Sequence, residues 1–540
     1  MTSEEQKKSD NRGRPTTDEF RAFVASGWAP RRTGLPTRAE VAGYAADRRA
    51  AVGARFPGER LVIPAGGLKV RSNDCDYVFR PHSAFAHLTG LGGDREPDAV
   101  LVLEPRRGWD GDSGGGHETV LYFRPLAGRD TEEFFGDARY GEFWVGVRPT
   151  LEDVEAELGV TARHIDELRD ALAKDAGSVR VRVVRDADPQ VAALVDTVRD
   201  ESGATDREAG EAPSGTSAAT AGSDTATSET ATSETGAAAV AEDEQQQSPD
   251  EQLAAFLSAL RMVKDAWEVE QMRSAVEGTK HGFEAVIAEL AEAVRRGRGE
   301  RWVEGIFGLH ARHHGNGIGY DSICASGDHA NTLHWIKNTG EVRDGDLLLL
   351  DAGVEVDSLY TADITRTLPV SGTFTDAQRE IYEAVHEAQE AGIAAARPGN
   401  KFSDIHAAAI RVIAEHLHEW GLLPDGISVE DTLDKEHGQY HRRWMVHGTS
   451  HHLGLDVHDC ALATREQYLD AELTPGMILT VEPGLYFKAD DELAPERFRG
   501  HGVRIEDDIL ITEDGNENLS ASMPRTADEV EAWITEVRSR

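Results

Sequence analysis

The sequence predicts an α/β protein, with an N-terminal α/β domain followed by a larger α+β domain. Three observations lead there. Helix and strand signals alternate up to about Arg199, as they do when helices layer against a sheet. From about Glu201 to Asp250 the composition turns to Ala, Thr, Ser, Gly and Glu, with almost no large apolar residue. Beyond that stretch, helices and short apolar strands come in two rounds, each ending in acidic residues.

Residues 1–16 are polar and charged and read as a disordered N-terminus without a secretory signal. The first domain is expected over 17–199. Thr17 to Phe56 has a helical pattern interrupted at Gly27–Pro30, and Leu61–Pro64 is a strand. Ala99–Leu103 and Val120–Phe123 are expected to form a hairpin around the glycine-rich loop Gly108–Gly116. Residues 200–252 read as a disordered acidic linker, because they cannot bury enough apolar surface to offset their ordering entropy. The second domain is expected over 253–522, with a tail at 523–540. It opens with a long helix from Lys264 to about Val294, a second from Glu300 to His313, and a strand at Tyr320–Ala325. A hairpin spans Asp346–Leu368. Thr375 and Ser403 are N-cap candidates for two further helices, which end before Pro398 and near Gly421. Pro424–Arg443 reads as an inserted polar loop, and Met477–Val481 as a strand after a Pro-Gly turn.

Composition excludes some functions. Among 540 residues, 97 are acidic and 57 basic, a formal charge of −40. Nucleic acid is therefore not the expected partner, since phosphate binding needs a basic face. No apolar run approaches membrane-spanning length. Cys75, Cys324 and Cys460 are far apart and odd in number. They offer neither a disulfide framework nor a zinc knuckle, and a reducing cytoplasm is the expected location.

The chemistry concentrates between Asp351 and Glu506. Asp351 ends the apolar run Leu347–Leu350, and Asp363 stands on the neighbouring strand of the same hairpin. His451 lies in a glycine-rich stretch, Glu482 follows Thr480-Val481, and Glu506 follows Arg504-Ile505. Each alone has an ordinary reading: an Asp before Ala-Gly is usually a turn residue, and a Glu before Pro-Gly closes a strand. Together they are hard to explain as packing. Buried carboxylates repel one another unless cations hold them. Hard oxygen ligands with one imidazole suit a pair of divalent metals, manganese first, with zinc and cobalt as the other candidates.

At this point the sequence resembles the Xaa-Pro aminopeptidases (aminopeptidase P) of the pita-bread metallopeptidase family. The words that carry the likeness are Asp351-Ala352-Gly353, Ala362-Asp363-Ile364-Thr365-Arg366-Thr367, His447 to Asp459, Thr480 to Tyr486, and Val503 to Asp508. A looser match runs from Arg80 to Gly90. The resemblance implies an aminopeptidase P/creatinase-type N-terminal domain and a C-terminal pita-bread catalytic domain. It implies that Asp351, Asp363, His451, Glu482 and Glu506 bind two divalent ions, most simply Mn2+, with Asp363 and Glu506 bridging. A hydroxide bridging the two ions would attack the scissile carbonyl while Glu482 shuttles the proton. His334, His447 and His458 would contact substrate or steady the tetrahedral intermediate, and Arg504 would orient Asp363 and Glu506. The substrates implied are peptides with proline second, in a homo-oligomer that is a dimer or a tetramer.

Two departures from the family pattern stand out. Asp351 and Asp363 are one residue further apart than usual, which a bulge or a longer hairpin tip would absorb, whereas a register shift would turn one carboxylate away. His501 stands where an apolar residue is common, and is expected at the rim. The alternatives are a prolidase restricted to Xaa-Pro dipeptides and a catalytically inactive pita-bread binding module.

Overall fold

A computed structural model describes residues 17–31, 34–106, 116–203 and 247–540. The N-terminus 1–16, nearly all of the Gly108–Gly116 loop and most of the expected linker lie outside the described residues. Tertiary contacts divide the chain into two compact units. One comprises Met1–Leu68, Glu96–Val181 and Ala187–Ala204; the other comprises Lys69–Arg95, Arg182–Asp186 and Thr205–Arg540.

The first unit is built on a mixed sheet in the order Thr161–His164, His117–Phe123, Val100–Pro105, Arg60–Pro64. Val100–Pro105 and His117–Phe123 form the expected antiparallel hairpin. Thr161–His164 runs parallel to His117–Phe123 and is reached through the helix Leu151–Leu158. Thr150 and Asp153 close a capping box at the start of that helix. Two helices, Asp18–Ala25 and Val41–Arg55, flank the interruption expected at Gly27–Pro30.

The second unit begins its helical framework earlier than the sequence reading allows. The helix Pro249–Leu260 starts inside the stretch assigned to the linker. Ser248 and Glu251 form its capping box and Pro249 supplies its first turn. Two helix pairs follow, Ala266–Arg295 with Gly299–His314, and Asp376–Ala395 with Phe402–Glu419. Thr375 is an N-cap as expected, reciprocated by Gln378. Ser403 is not: the helix already includes Phe402, and the Asp404 carboxylate accepts from the Lys401 N–H at 2.9 Å. The polar segment Pro424–Arg443 contains a short helix, Val429–Leu433.

The hairpin carrying both aspartates pairs Leu347–Ala352 with Ile364–Pro369. Its register is constant from Leu347↔Pro369 to Ala352↔Ile364, and the bridge Glu355↔Thr361 keeps the same offset. No bulge is needed. The extra residue is absorbed at the tip, where the Val356 N–H donates to the Tyr360 carbonyl at 2.9 Å and Leu359 adopts φ 75°. Gly353 permits this closure, because a Cβ there would lie 1.7 Å from the Ala362 carbonyl oxygen.

The segment set aside as a tail is a structural element. Ala527–Ser539 is a capped helix whose Val530, Trp533, Ile534 and Val537 join the main hydrophobic core. Four apolar residues at helical spacing form one face that would otherwise be left exposed. Replacing Trp533, 5% exposed, with alanine is expected to cost about 3–5 kcal/mol in chemical unfolding. An unchanged unfolding midpoint would return this segment to the status of a tail.

His406 and His441 provide a pH-sensitive pair. Burial, with Arg442 and Lys435 nearby, holds the His406 ring down at about 4. Burial, then His406 and Arg442, holds His441 at about 4. The unfolded chain binds these protons at its ordinary histidine value and the folded chain refuses them. Their contribution to stability is complete above the unfolded value and is lost as pH falls towards the folded one. The urea midpoint should drop between about pH 7 and about pH 5, and drop less in a His406→Asn/His441→Asn variant.

Candidate functional site

The site forms where two bent hairpins of the second unit meet. On Ile364–Pro369 the side chains alternate between faces. Asp363, Thr365 and Thr367 share one face, and Ile364, Arg366 and Leu368 the other. Thr365 Oγ1 donates to Glu506 Oε2 at 2.7 Å, and Thr367 Oγ1 donates to the Arg504 carbonyl at 2.9 Å. On the opposite face Arg366 donates to the Asp507 carboxylate at 2.7 Å and to the Glu506 carbonyl at 2.7 Å.

Glu482 and Glu506 occupy matching breaks in the second hairpin. Ile478–Val481 pairs with Asp507–Thr512, and Gly484–Phe487 pairs with His501–Arg504. The offset is the same on both sides, and Pro483 in between has no N–H for the ladder. Both glutamates turn their backbone N–H groups outward, Glu482 to the Thr449 carbonyl at 2.8 Å and Glu506 to the Thr365 carbonyl at 3.1 Å. The loop carrying His451 is fixed to the same strand, since the His451 N–H donates to Thr480 Oγ1 at 3.1 Å.

One ligand atom each from Asp363, His451 and Glu506 lies within 4.8 Å of the others, the one such trio among the described residues. His451 Nε2 stands 3.3 Å from Asp363, 3.7 Å from Glu482 and 4.0 Å from Glu506. Its Nδ1 faces the His452 carbonyl at 3.2 Å, so the proton belongs there and Nε2 points at the carboxylates. Asp351 joins through Tyr320, whose hydroxyl lies 2.7 Å from Asp351 and 2.5 Å from Asp363. Asp363, His451 and Glu506 are thus drawn together, with Glu482 beside His451 and Asp351 linked through Tyr320.

The surrounding residues sort less evenly. Arg504 pairs directly with Asp351 and donates to Thr365 Oγ1 at 3.2 Å and to the Tyr486 hydroxyl at 3.1 Å. It reaches Glu506 through Thr365, and its hydrogen bonds go to Asp351 where the sequence reading pointed to Asp363. His447 Nδ1 donates to the Gly448 carbonyl at 2.6 Å, leaving Nε2 to accept from Tyr486 at 2.8 Å. His458 meets His451 edge-on, with ring centroids 4.6 Å apart. His334 is exposed on its loop, near enough to His447 and His458 for its charge to act on both. His452 is packed between Phe402 and Tyr468, and His501 contacts the Phe498 carbonyl.

The electrostatics carry the signature of crowded buried carboxylates. Burial raises Asp363, with Asp351 adding to the shift against hydrogen bonds from His451 and Tyr320. Burial, then Asp363, Glu482 and Asp351, push Glu506 well up. Burial carries Glu482 to about 7, with Asp363 and Asp351 adding. Burial alone would lower His451; the Asp363 hydrogen bond and Glu482 overcome it and bring the ring to about 9. Burial and Arg504 hold His447 at about 3, and burial and His451 hold His458 at about 4. A protonated His451 and one arginine do not balance four carboxylates. Oxygen donors plus one imidazole Nε2 form a set that divalent cations fit.

Several contributors escaped the sequence reading. Tyr320 was placed only on a strand, and Tyr486 only within a motif. Glu300, fully buried, accepts from the Ser326 N–H at 3.0 Å, His329 Nδ1 at 2.7 Å, Trp335 Nε1 at 2.9 Å and the Gly340 N–H at 2.5 Å. Three of these donors belong to the loop that carries His334, and Ser326 ends the strand Ile323–Ser326 that leads into it. Arg80 donates to the Leu455 carbonyl at 2.5 Å and Glu355 at 2.8 Å, and Ser83 donates to Asp456 at 2.6 Å. The Arg80–Gly90 motif thus braces the loop between His451 and His458. Only sequence separation, more than 350 residues in the Arg80–Leu455 case, hides these partners from a linear reading.

Comparison with known proteins gives the family. Metallopeptidase family M24 matches residues 270–513, and the aminopeptidase P N-terminal domain matches residues 45–184. Xaa-Pro aminopeptidase 2 of Streptomyces coelicolor is 47% identical over 96% of this chain and 96% of its own. Xaa-Pro aminopeptidase 1 of the same organism is 47% identical over 97% of this chain and 93% of its own. The solved structure of aminopeptidase P from Escherichia coli in its low-pH form superposes with a TM-score of 0.73 at 30% identity, covering 92% of this chain and 99% of that one. The domain order is the expected one, an N-terminal α/β domain before an α+β pita-bread domain. The chain belongs to metallopeptidase family M24, among its Xaa-Pro aminopeptidases.

Proposed function

We propose that this Xaa-Pro aminopeptidase works with two divalent ions, Mn2+ first among the candidates, held by Asp351, Asp363, His451, Glu482 and Glu506. The observation that carries this reading is the convergence of four carboxylates and the His451 Nε2 on one buried space with too little positive charge of its own. When bound, the ions supply Lewis acidity and a water acidic enough to act as nucleophile near neutral pH. Glu482, beside His451, is the residue placed to carry a proton between the nucleophile and the departing amine. The neutral rings of His447 and His458 flank the ligands without adding positive charge. The Arg504–Tyr486–His447 chain fixes the first of these rings, and the Glu300 loop presents His334. The prolidase and inactive-module alternatives find no support in the relatives.

Two further readings accompany this one. A cytoplasmic location is favoured by Cys324 and Cys460, which are buried as free thiols. A homo-oligomer, dimer or tetramer, is favoured by exposed Phe23, Trp28, Phe143 and Trp144 in the first unit. Light scattering should give a mass at least twice that of the chain.

Chelator-stripped protein is expected to release alanine from Ala-Pro-Ala only after a divalent metal is restored, with Mn2+ most effective, and not in the Asp363→Asn variant. Ala-Ala-Ala should be cleaved far more slowly, and Ala-Pro should not be preferred over Ala-Pro-Ala. Full activity in stripped protein, or in Asp363→Asn, would refute the metal assignment.

Glu300→Gln places an amide N–H2 against a site built for acceptors. We expect kcat/KM to fall on the order of 10²-fold through misplacement of His334, with metal content and secondary structure retained. Unchanged kinetics would remove His334 and its loop from the mechanism.

A further inference from the structure

We propose that His281, His310 and His314 form a second metal site on the second unit, for a late first-row divalent ion such as Zn2+, Ni2+ or Cu2+. His310 and His314 are four residues apart on the helix Gly299–His314, so their side chains share a face. His281 comes from the neighbouring helix Ala266–Arg295. The His281 and His314 ring centroids are 4.5 Å apart, with planes 18° from parallel; those of His310 and His314 are 6.0 Å apart, also at 18°. Gly278 allows this approach, since a Cβ there would already stand 3.4 Å from the His314 Cβ. His313 lies edge-on to His314 at 4.8 Å, and Glu277 Oε1 lies 3.5 Å from His281 Nε2.

Packing does not account for this arrangement. His281, His313 and His314 are exposed and His310 is half-buried, so the stack is no part of the core. His310 Nδ1 is buried with no hydrogen-bond partner among the described residues. Protonated rings this close would repel one another. Burial first, then the neighbouring histidines, lower the proton affinity of His310 and His314. Their lone pairs are therefore available at neutral pH.

Imidazole ligands favour zinc, nickel and copper over manganese, which sets this cluster apart from the carboxylate-rich centre. His314 ends its helix, where the helix dipole favours a cation. Glu277 supplies a carboxylate, either as a fourth ligand or to orient His281. As the rings stand stacked, their nitrogens do not all lie within 4.8 Å of one another; ion binding would require the exposed His281 and His314 to rotate towards the half-buried His310, bringing nitrogens to about 2.1 Å from the metal.

The test counts metal. Manganese-loaded protein is titrated with Ni2+, passed through gel filtration, and analysed for both metals. The unaltered chain should retain about one nickel more than a His310→Asn/His314→Asn variant. Both should hydrolyse Ala-Pro-Ala at the same rate before nickel is added, with identical circular dichroism. His281→Asn alone should weaken nickel binding about tenfold or more. Comparing chains removes any nickel that enters the carboxylate centre, since that contribution is common to all. Equal nickel counts in the unaltered and double-variant proteins would overturn the site. Full-affinity binding in His281→Asn would overturn the three-histidine set.

Discussion

Four carboxylates gathered in one buried space form the constraint on which the rest of the catalytic unit depends. Such a cluster is unfavourable by itself, because burial and mutual repulsion both oppose ionisation. Asp508, also buried, adds to the crowding, raised by its burial and by Asp363 beside it. The protein answers with few charges of its own. Arg504 is committed to Asp351, and His451 is drawn towards the protonated form by the same carboxylates that a metal would neutralise. Hydrogen bonds from Tyr320 and Thr365 also hold these carboxylates, and the charge deficit between them is left unmet.

Backbone chemistry keeps these groups in place. Asp351 and Asp363 stay on one face because the hairpin register never slips, and it never slips because Gly353 lets the strands close. Glu482 and Glu506 face each other because Pro483 interrupts a ladder that resumes with the same offset. In both hairpins a residue within two positions of the acidic side chain lacks something ordinary, a Cβ at Gly353 and an N–H at Pro483.

How much of this was legible follows from the range of each interaction. The carboxylates were legible as a group because strand ends rich in carboxylate are unusual, and because Asp-Ala-Gly and Glu-Pro-Gly put backbone peculiarities close to them. The helix start at Thr375 follows from its capping side chain, with Gln378 three positions on. Local rules failed where tertiary contacts decide. Ser403 has the chemistry of a cap but lies inside its helix. The Ala527–Ser539 helix read as a tail because its apolar face has no meaning without the core it covers. Tyr320, Glu300 and Arg80 act on partners distant in sequence, and nothing within their own segments points to those partners.

Arg366 shows how the covered terminus and the site belong together. It is fully buried, and its guanidinium donates to the Thr365, Glu506, Met523 and Pro524 carbonyls and to Asp507. A buried charge is costly unless its donors are satisfied, and here they are met by carbonyls from three segments and one carboxylate. Two of those carbonyls belong to the turn just before the C-terminal helix. Loss of that helix would release the turn and leave Arg366 short of acceptors, one residue from the Thr365 hydroxyl that holds Glu506. The alternation of the strand therefore gives Asp363-Ile364-Thr365-Arg366-Thr367 two functions. One face holds the Asp363 and Glu506 carboxylates, and the other fastens the end of the chain through Arg366.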